Sequence, residues 1–206
     1  MRSVRIRRKA NSYGRKQNSP QGEFLKKINK MSTGNFFLQS AIKWLSYYKE
    51  LGDKTFEQLN ESDFYFHPNA ESNSIAIIIQ HVAGNMLSRW ADFLTADGEK
   101  EWRNRDAEFE EQHLTKQQLV ELWQKGWDCC LNTLKSLTED DLMKTIYIRS
   151  VGLLAVDAVN RQLAHYPYHV GQIIYLAKII KNDDWQNLSI AKGHSAQYNR
   201  QMNTKG

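Results

Sequence analysis

The sequence predicts an all-α protein, a four-helix bundle of one domain. Apolar residues recur at three- and four-residue steps in four long segments between residues 33 and 181, which is the period of helices with one buried face. No repeat of about 20 to 50 residues divides the chain. Four long helices of this kind pack around a shared core, and their functional sites are built from side chains that project between the helices.

The first helix is predicted over about residues 35–58, followed by a short irregular stretch at 63–68. The second helix is predicted from a cap at Ser72 or Asn73 to about Leu94, because this segment is strongly apolar and the polar, charged residues 95–106 after it are typical of a loop.

The third helix is predicted to begin at Thr115, because Thr115 and Gln118 have the spacing of a capping box. Residues 145–151 alternate in period two, which predicts a short extended connector. The fourth helix is predicted from about Leu154 to Lys181, and the segment after it is predicted to be an irregular tail.

The net charge of +5 is unevenly distributed. Residues 1–30 contain ten Lys or Arg and one acid, a charge of +9, so residues 31–206 carry +5 minus +9, or −4. The basic segment has few large apolar side chains, which predicts a disordered extension before a domain at 31–206. A nucleic-acid-binding arm is the alternative for this segment, although only nonspecific contact would be expected of it because base-reading residues are scarce.

Composition also limits the class of protein. No apolar run reaches the roughly 18 residues that a membrane helix needs, so we expect no membrane association and a cytoplasmic location. The only cysteines, Cys129 and Cys130, are adjacent in a helical segment and cannot form the framework of a disulfide-rich secreted domain. We expect them to be small buried or half-buried side chains.

Three histidines are the candidate metal ligands. His165 and His169 are four residues apart in the fourth helix, a spacing that stacks both rings on one face. His81 lies in the apolar second helix, where a ring that can be protonated is costly unless a partner satisfies it. The other histidines, at positions 67, 113 and 194, are predicted to be surface residues.

Pro167 lies between the paired histidines and predicts a kink, because it removes an amide hydrogen bond at a cost on the order of 3 kcal/mol. Such a kink could open room beside the site or separate the two rings, and the sequence leaves both outcomes open.

Polar residues near the histidines are candidates to orient ligands or contact substrate. Asn85 and Gln172 follow His81 and His169 by about one turn, and Arg161 precedes His165 by four residues. The charged loop adds Arg103, Arg105 and Asp106 as substrate candidates, with a solvated loop as the alternative. A protease of the His-Glu-x-x-His type is not expected, because Tyr166 follows His165 where the glutamate would stand.

Three motifs in order resemble the DinB-like, or YfiT-like, superfamily. They are Gln80-His-Val-Ala-Gly-Asn-Met-Leu-Ser-Arg-Trp90, the loop 97–109, and Asn160-Arg-Gln-Leu-Ala-His-Tyr-Pro-Tyr-His-Val-Gly-Gln172, and the likeness extends over about residues 31–199. The resemblance implies a four-helix bundle, often a homodimer, that binds a divalent metal with one histidine of the second helix and two of the fourth. These roles correspond to His81, His165 and His169.

The resemblance further implies a metal-dependent transferase that joins a low-molecular-weight thiol to small electrophiles. Two alternatives stay open, a metal-dependent hydrolase and a non-catalytic structural or interaction module. Three imidazoles suit zinc or nickel, with iron as a further option, and they would leave one or more positions of the metal open to a thiol or a water. No catalytic residue is identified by the sequence.

Overall fold

A computed structural model of the protein describes residues 31–203. This part of the chain is mainly α-helical, as predicted, with one small antiparallel sheet of two strands. The helices and strands are α1 Thr33–Glu57, α2 Ile75–Trp90, α3 Lys116–Ser136, β1 Thr145–Ile148, β2 Val151–Leu154, α4 Ala155–Lys181 and α5 Ser195–Asn203. Short 3-10 helices lie in the connections, at Glu61–Tyr65, Asp106–Phe109, Glu139–Met143 and Asn182–Asp184. The basic segment 1–30 and its predicted disorder lie outside the described residues.

The four long helices contact one another in a ring. Helix α1 packs against α3 and α4, and α2 packs against the same two helices. Their apolar faces share one hydrophobic core, in which three indoles and a phenol are almost completely buried: Trp90, Trp123, Trp127 and Tyr166. Aromatic side chains of this size contribute much of the apolar area that a core removes from water. The shared core fixes α2 beside α4, which positions the histidine-bearing segments against each other.

Helix α2 is the most buried element, and its boundaries differ from the predicted ones. The hydroxyl of Ser74, not of Ser72, caps the helix by accepting from the amide of Ile77 at 3.3 Å. The helix ends at Trp90 rather than Leu94, and the backbone at Asp92 has a φ of 52°. The Thr133 hydroxyl of α3 donates to the carbonyl of Trp90 at 3.0 Å, so a tertiary contact satisfies the helix end.

Helix α3 begins at the predicted capping box. The Gln118 amide donates to the Thr115 hydroxyl at 3.2 Å, and the Thr115 amide donates to the Gln118 side chain at 2.8 Å. Gly126 faces α2, where a Cβ would lie 3.0 Å from the Cα of Ala83. The absence of a side chain at Gly126 therefore lets the two helices approach closely.

The predicted extended connector is the first strand of a β-hairpin, and the second strand was not predicted. The two tip residues, Arg149 and Ser150, have φ of 55° and 62° although neither is glycine or asparagine. Asp97 compensates, because its carboxylate accepts from the Arg149 amide at 2.9 Å and from the Ser150 amide at 2.7 Å. The hairpin is thus tied to the loop after α2.

Helix α4 is continuous through Pro167, from Ala155 to Lys181. The predicted irregular tail is only partly correct, because residues 195–203 form α5, a short helix without buried residues. Cys129 is half-buried and Cys130 buried on α3, both unpaired, as predicted. Burial raises the pKa of both thiols, which disfavours the reactive thiolate. Within residues 31–203, none of the helices is long and apolar enough to cross a membrane.

The close approach of α2 and α3 can be tested with a matched pair of glycine substitutions. Gly126→Ala should lower the free energy of unfolding by about 1–3 kcal/mol, because the new methyl group overpacks against the backbone of Ala83. Gly171→Ala on α4 is the control, since nothing lies within 4 Å of its Cβ position, and it should stabilise by about 0.5–1 kcal/mol. Urea denaturation measures both, and stabilisation by both alanines would contradict the packing argument.

Candidate metal centre

His81 is carried by α2, and its ring is buried at the face that α2 turns toward α4. Such a ring needs a polar partner, because an unsatisfied polar group in the interior costs free energy. The partner is Glu108 in the loop after α2, whose Oε2 lies 3.0 Å from His81 Nδ1. The ring also packs on Phe109, with ring centroids 4.8 Å apart.

His165 and His169 are carried by α4, one turn apart, and both are half-buried. The helix continues through Pro167, so the two rings are not separated, and their Nε2 atoms lie 3.0 Å apart. Both rings face His81, with centroid distances of 5.6 Å from His165 and 5.0 Å from His169. One nitrogen from each of the three rings lies within 4.8 Å of the others.

Hydrogen bonds at the opposite nitrogens fix the protonation pattern of the rings. His165 Nδ1 lies 3.2 Å from Gln162 Oε1, and His169 Nδ1 lies 2.8 Å from Gln172 Oε1. These oxygens, like the carboxylate that meets His81, only accept hydrogen bonds, so each Nδ1 carries the proton and donates it. In a neutral ring, a proton on Nδ1 leaves Nε2 with a free lone pair, the form in which histidine binds a metal.

The rings of α4 are held in the neutral state. Burial lowers the pKa of His165 to about 4, assisted by repulsion from His169, His81 and Arg161. Burial likewise lowers the pKa of His169, although the hydrogen bond to Gln172 acts in the opposite direction. Near neutral pH, two unprotonated Nε2 atoms thus face each other at 3.0 Å.

Glu108 is the acidic partner of this cluster. Arg103 donates two hydrogen bonds to its carboxylate, from Nε to Oε1 at 2.7 Å and from Nη2 to Oε2 at 2.9 Å. Burial alone would raise the pKa of Glu108, but the hydrogen bonds from His81 and Arg103 outweigh it and lower that pKa. Gln80 anchors the same loop by donating to the carbonyl of Glu110 at 2.8 Å. The carboxylate rests against Gly84, where a Cβ would overlap with Oε1 of Glu108.

The three imidazoles fit a divalent metal by their donor set. Two ligands of a tetrahedral zinc, each about 2.0–2.1 Å from the metal, lie about 3.3 Å apart, close to the 3.0 Å between the Nε2 atoms of His165 and His169. Each ring is oriented by an oxygen acceptor at its other nitrogen, as in known histidine-metal sites. These residues could therefore hold a divalent cation, and no carboxylate would neutralise its charge directly.

A polar cavity of about 270 Å³ adjoins the histidines. Of the residues that the sequence singled out for substrate contact, Asn85, Arg103, Arg105 and Arg161 line it. Gln172 lies instead on the far side of His169, where its Oε1 accepts a hydrogen bond from the ring Nδ1. Asp106 is exposed at the start of the 3-10 helix Asp106–Phe109 and does not line the cavity.

Asn85 is held by a buried hydrogen-bond chain from the core. Trp90 Nε1 donates to the Tyr166 hydroxyl at 2.9 Å, and that hydroxyl donates to Asn85 Oδ1 at 3.1 Å. The Tyr166 hydroxyl accepts the hydrogen bond of the Trp90 indole and donates its single proton to Asn85. The amide oxygen of Asn85 is thus engaged, and its NH2 group remains available to the cavity.

Sequence reasoning missed several residues of this site. Gln162 could have been found, because it lies three residues before His165 just as Gln172 lies three after His169. Arg89 could also have been found, because it follows His81 by eight residues, about two turns, on the same helix. Glu108 and Arg149 carry no comparable signal, because they reach the site only through the folding of the loop after α2 and the docking of the hairpin.

Acid should destabilise the metal-free protein between about pH 6.5 and pH 4. The pKa of His165 is about 4 in the folded chain and 6.5 ordinarily, so the unfolded chain takes up a proton first and stability falls as the pH falls. Urea denaturation of chelator-treated protein across this range measures the loss, which should be smaller in His165→Gln.

His67→Gln is the control of opposite sign. A hydrogen bond to Glu111 raises the pKa of His67, so protonation of this exposed ring favours the folded state. Removal of the His67 ring should therefore make the free energy of unfolding fall more steeply as the pH falls. An unchanged pH dependence in His165→Gln would contradict the neutral, buried state of that ring.

Comparison with known proteins identifies one family. A family described as a protein of unknown function, DUF1572, matches residues 32–194, which include α1 to α4, the three histidines and Glu108. A comparison with curated proteins finds no match. Because the family match covers most of the chain, the protein belongs to the DUF1572 family.

Proposed function

We propose that this protein is a four-helix bundle of the DinB-like type that binds one divalent metal and transfers a low-molecular-weight thiol to small electrophiles. The ligands are His81, His165 and His169. One observation carries the metal proposal: the Nε2 atoms of His165 and His169 lie 3.0 Å apart, and one ring nitrogen of each of the three histidines lies within 4.8 Å of the others. Facing lone pairs repel, and a shared cation converts this repulsion into binding. The ring of contacts among α1, α3, α2 and α4 supports the bundle.

Zinc or nickel is the proposed metal, with iron as a further candidate, because imidazole suits all three. When bound, a metal with three neutral ligands supplies an open, strongly positive position that lowers the pKa of a thiol or water coordinated there. The polar cavity beside the rings gives a small substrate access to that position.

Residues of the chain orient the histidine rings and bind the substrate. Glu108, Gln162 and Gln172 hold the three rings in the tautomer that leaves Nε2 free. Asn85, fixed by Tyr166, offers its NH2 group as a hydrogen-bond donor to an electronegative atom of the substrate. Tyr166 itself is buried and engaged in this chain, so it does not supply the general base that a His-Glu-x-x-His protease requires.

Elemental analysis of the purified protein tests the metal. About one divalent metal per chain is expected in the parent and little in the His165→Ala, His169→Ala double variant, because that variant lacks two of the three ligands. His113→Ala, at an exposed histidine away from the cluster, is the control and should retain the metal. A parent without metal after reconstitution with zinc and with nickel would overturn the site.

Consumption of free thiol by the metal-loaded protein tests the reaction. Glutathione and cysteine are offered with an electrophile such as 1-chloro-2,4-dinitrobenzene, and the rate should depend on bound metal. Cleavage of an activated ester without thiol consumption would instead identify a hydrolase. Absence of both activities in the metal-loaded protein would favour a non-catalytic module.

Glu108 should tune metal affinity without being a ligand. Glu108→Gln should weaken metal binding roughly 10- to 100-fold, because loss of an outer partner of a metal-binding histidine has effects of this size. Gly84→Ala should do the same while leaving every charge in place, since the new methyl group displaces the Glu108 carboxylate.

Competition with a chromogenic chelator measures these affinities. Gly171→Ala, with open space around its Cβ position two residues from His169, should leave the affinity unchanged. If both Glu108→Gln and Gly84→Ala bind the metal with the affinity of the parent, Glu108 has no role in metal binding.

A further inference from the structure

In the part of the chain that the structure describes, the arginines are concentrated in one place. Residues 31–203 contain six arginines, and five of them line the cavity beside the histidines: Arg89, Arg103, Arg105, Arg149 and Arg161. None of the lysines between residues 31 and 203 lines it, nor does any carboxylate from that part of the chain. Lysines and arginines share a charge, so net charge alone does not account for this separation. What distinguishes arginine is its planar fork, which binds carboxylates and phosphates at two points.

The five arginines come from four separate parts of the fold. Arg89 lies on α2, Arg103 and Arg105 on the loop after it, Arg149 at the tip of the hairpin, and Arg161 on α4. A solvated face of a single helix cannot produce such a convergence. Bringing like charges together costs free energy, so the fold holds this cluster against its own repulsion.

Carboxylates satisfy only part of the cluster. Glu99 accepts from Arg89 at 2.9 Å and from Arg149 at 3.2 Å, and Glu108 is occupied by Arg103. Two carboxylates thus serve three arginines. Among the described residues, neither Arg105 nor Arg161 forms an ion pair, and the group of five arginines and two glutamates carries a charge of +3.

One buried donor is also left over. The Arg103 side chain is 2% exposed, and its Nη1 has no hydrogen-bond partner within residues 31–203; Oε2 of Glu99 lies 3.7 Å away, beyond hydrogen-bond distance. Buried donors in folded proteins are nearly always paired, so an orphan beside a cavity indicates a missing acceptor. Arg89 and Arg103 form the buried part of the lining, while Arg105, Arg149 and Arg161 are exposed at its rim.

We propose that this cavity is an anion subsite that binds a compact molecule through one or two oxyanion groups, carboxylate or phosphate. Arg161 and Arg105 are the principal contacts, because no carboxylate in residues 31–203 occupies them. Arg161 precedes His165 by one helical turn, so an anion held there lies beside the histidine cluster. As a statement about substrate class this rests on the proposed function: the electrophile would carry its charge on the arginines and its reacting end toward the histidines.

Isothermal titration of the metal-free protein tests the subsite directly. The chelator is removed by dialysis before titration, because chelators are themselves polyanions, and the buffer contains no phosphate. The ligands are succinate, inorganic phosphate and neutral succinamide, which matches succinate in size. Binding of succinate or phosphate without binding of succinamide is expected, and the better of the two anions identifies the oxyanion type.

Variants locate the binding. Arg161→Gln and Arg105→Gln should each weaken anion binding roughly tenfold or more, the effect of losing a hydrogen bond to a charged group. Arg200→Gln, the one described arginine outside the cavity, should not change it. Binding of neither anion, equal binding of succinamide, or an equal effect of Arg200→Gln would overturn the proposal.

Metal content measured on the same preparations separates the two hypotheses. Anion binding by a chain that takes up no metal would keep the subsite and remove the proposed transferase. Metal uptake through the histidines without anion binding would keep the proposed metal site and remove the anion subsite.

Discussion

The pairing of the buried Glu108 carboxylate with His81 and Arg103 is the interaction on which the rest of the site depends. A buried carboxylate is tolerated only when its oxygens are paired, and here one ring and one guanidinium use both. The same contact sets the His81 tautomer, holds the loop after α2 against the helix and fixes Arg103 at the cavity. Gly84 makes it possible, because any side chain there would occupy the place of the carboxylate.

The helical frame supplies the precision that this contact needs. Helix α4 continues through Pro167, so His165 and His169 remain stacked on one face, and the aromatic core beneath them fixes α4 against α2. The core also reaches into the site, since Trp90 orients Tyr166 and Tyr166 orients Asn85. Polar groups held in this way lose little freedom when they bind, which favours affinity and correct orientation.

The helices and the histidine cluster could be predicted from the sequence because both depend on short-range periodicity. Helical spacing placed His165 and His169 on one face, and a capping box marked the start at Thr115. What could not be predicted depends on contacts between distant residues. The hairpin tip at Arg149 and Ser150 is stabilised by Asp97, more than fifty positions earlier, and the role of Glu108 exists only after its loop folds back on α2. The end of α2 at Trp90 likewise involves a distant residue, since Thr133 of α3 donates to the Trp90 carbonyl.

The charge of a metal held by the histidine cluster and the charges of the neighbouring arginines would both favour the binding of an anion. Three neutral imidazoles leave the full charge of a bound dication in place, and five arginines stand beside it. A metal held there would be repelled by the arginines, and an anion between them would relieve both repulsions. Thermodynamic linkage makes this relief reciprocal, since an anion that strengthens metal binding is itself bound more tightly by the metal-loaded protein. Neutral ligands beside arginines that carboxylates pair only in part would thus suit the joint binding of a metal and an anion, whereas carboxylate ligands would weaken this coupling.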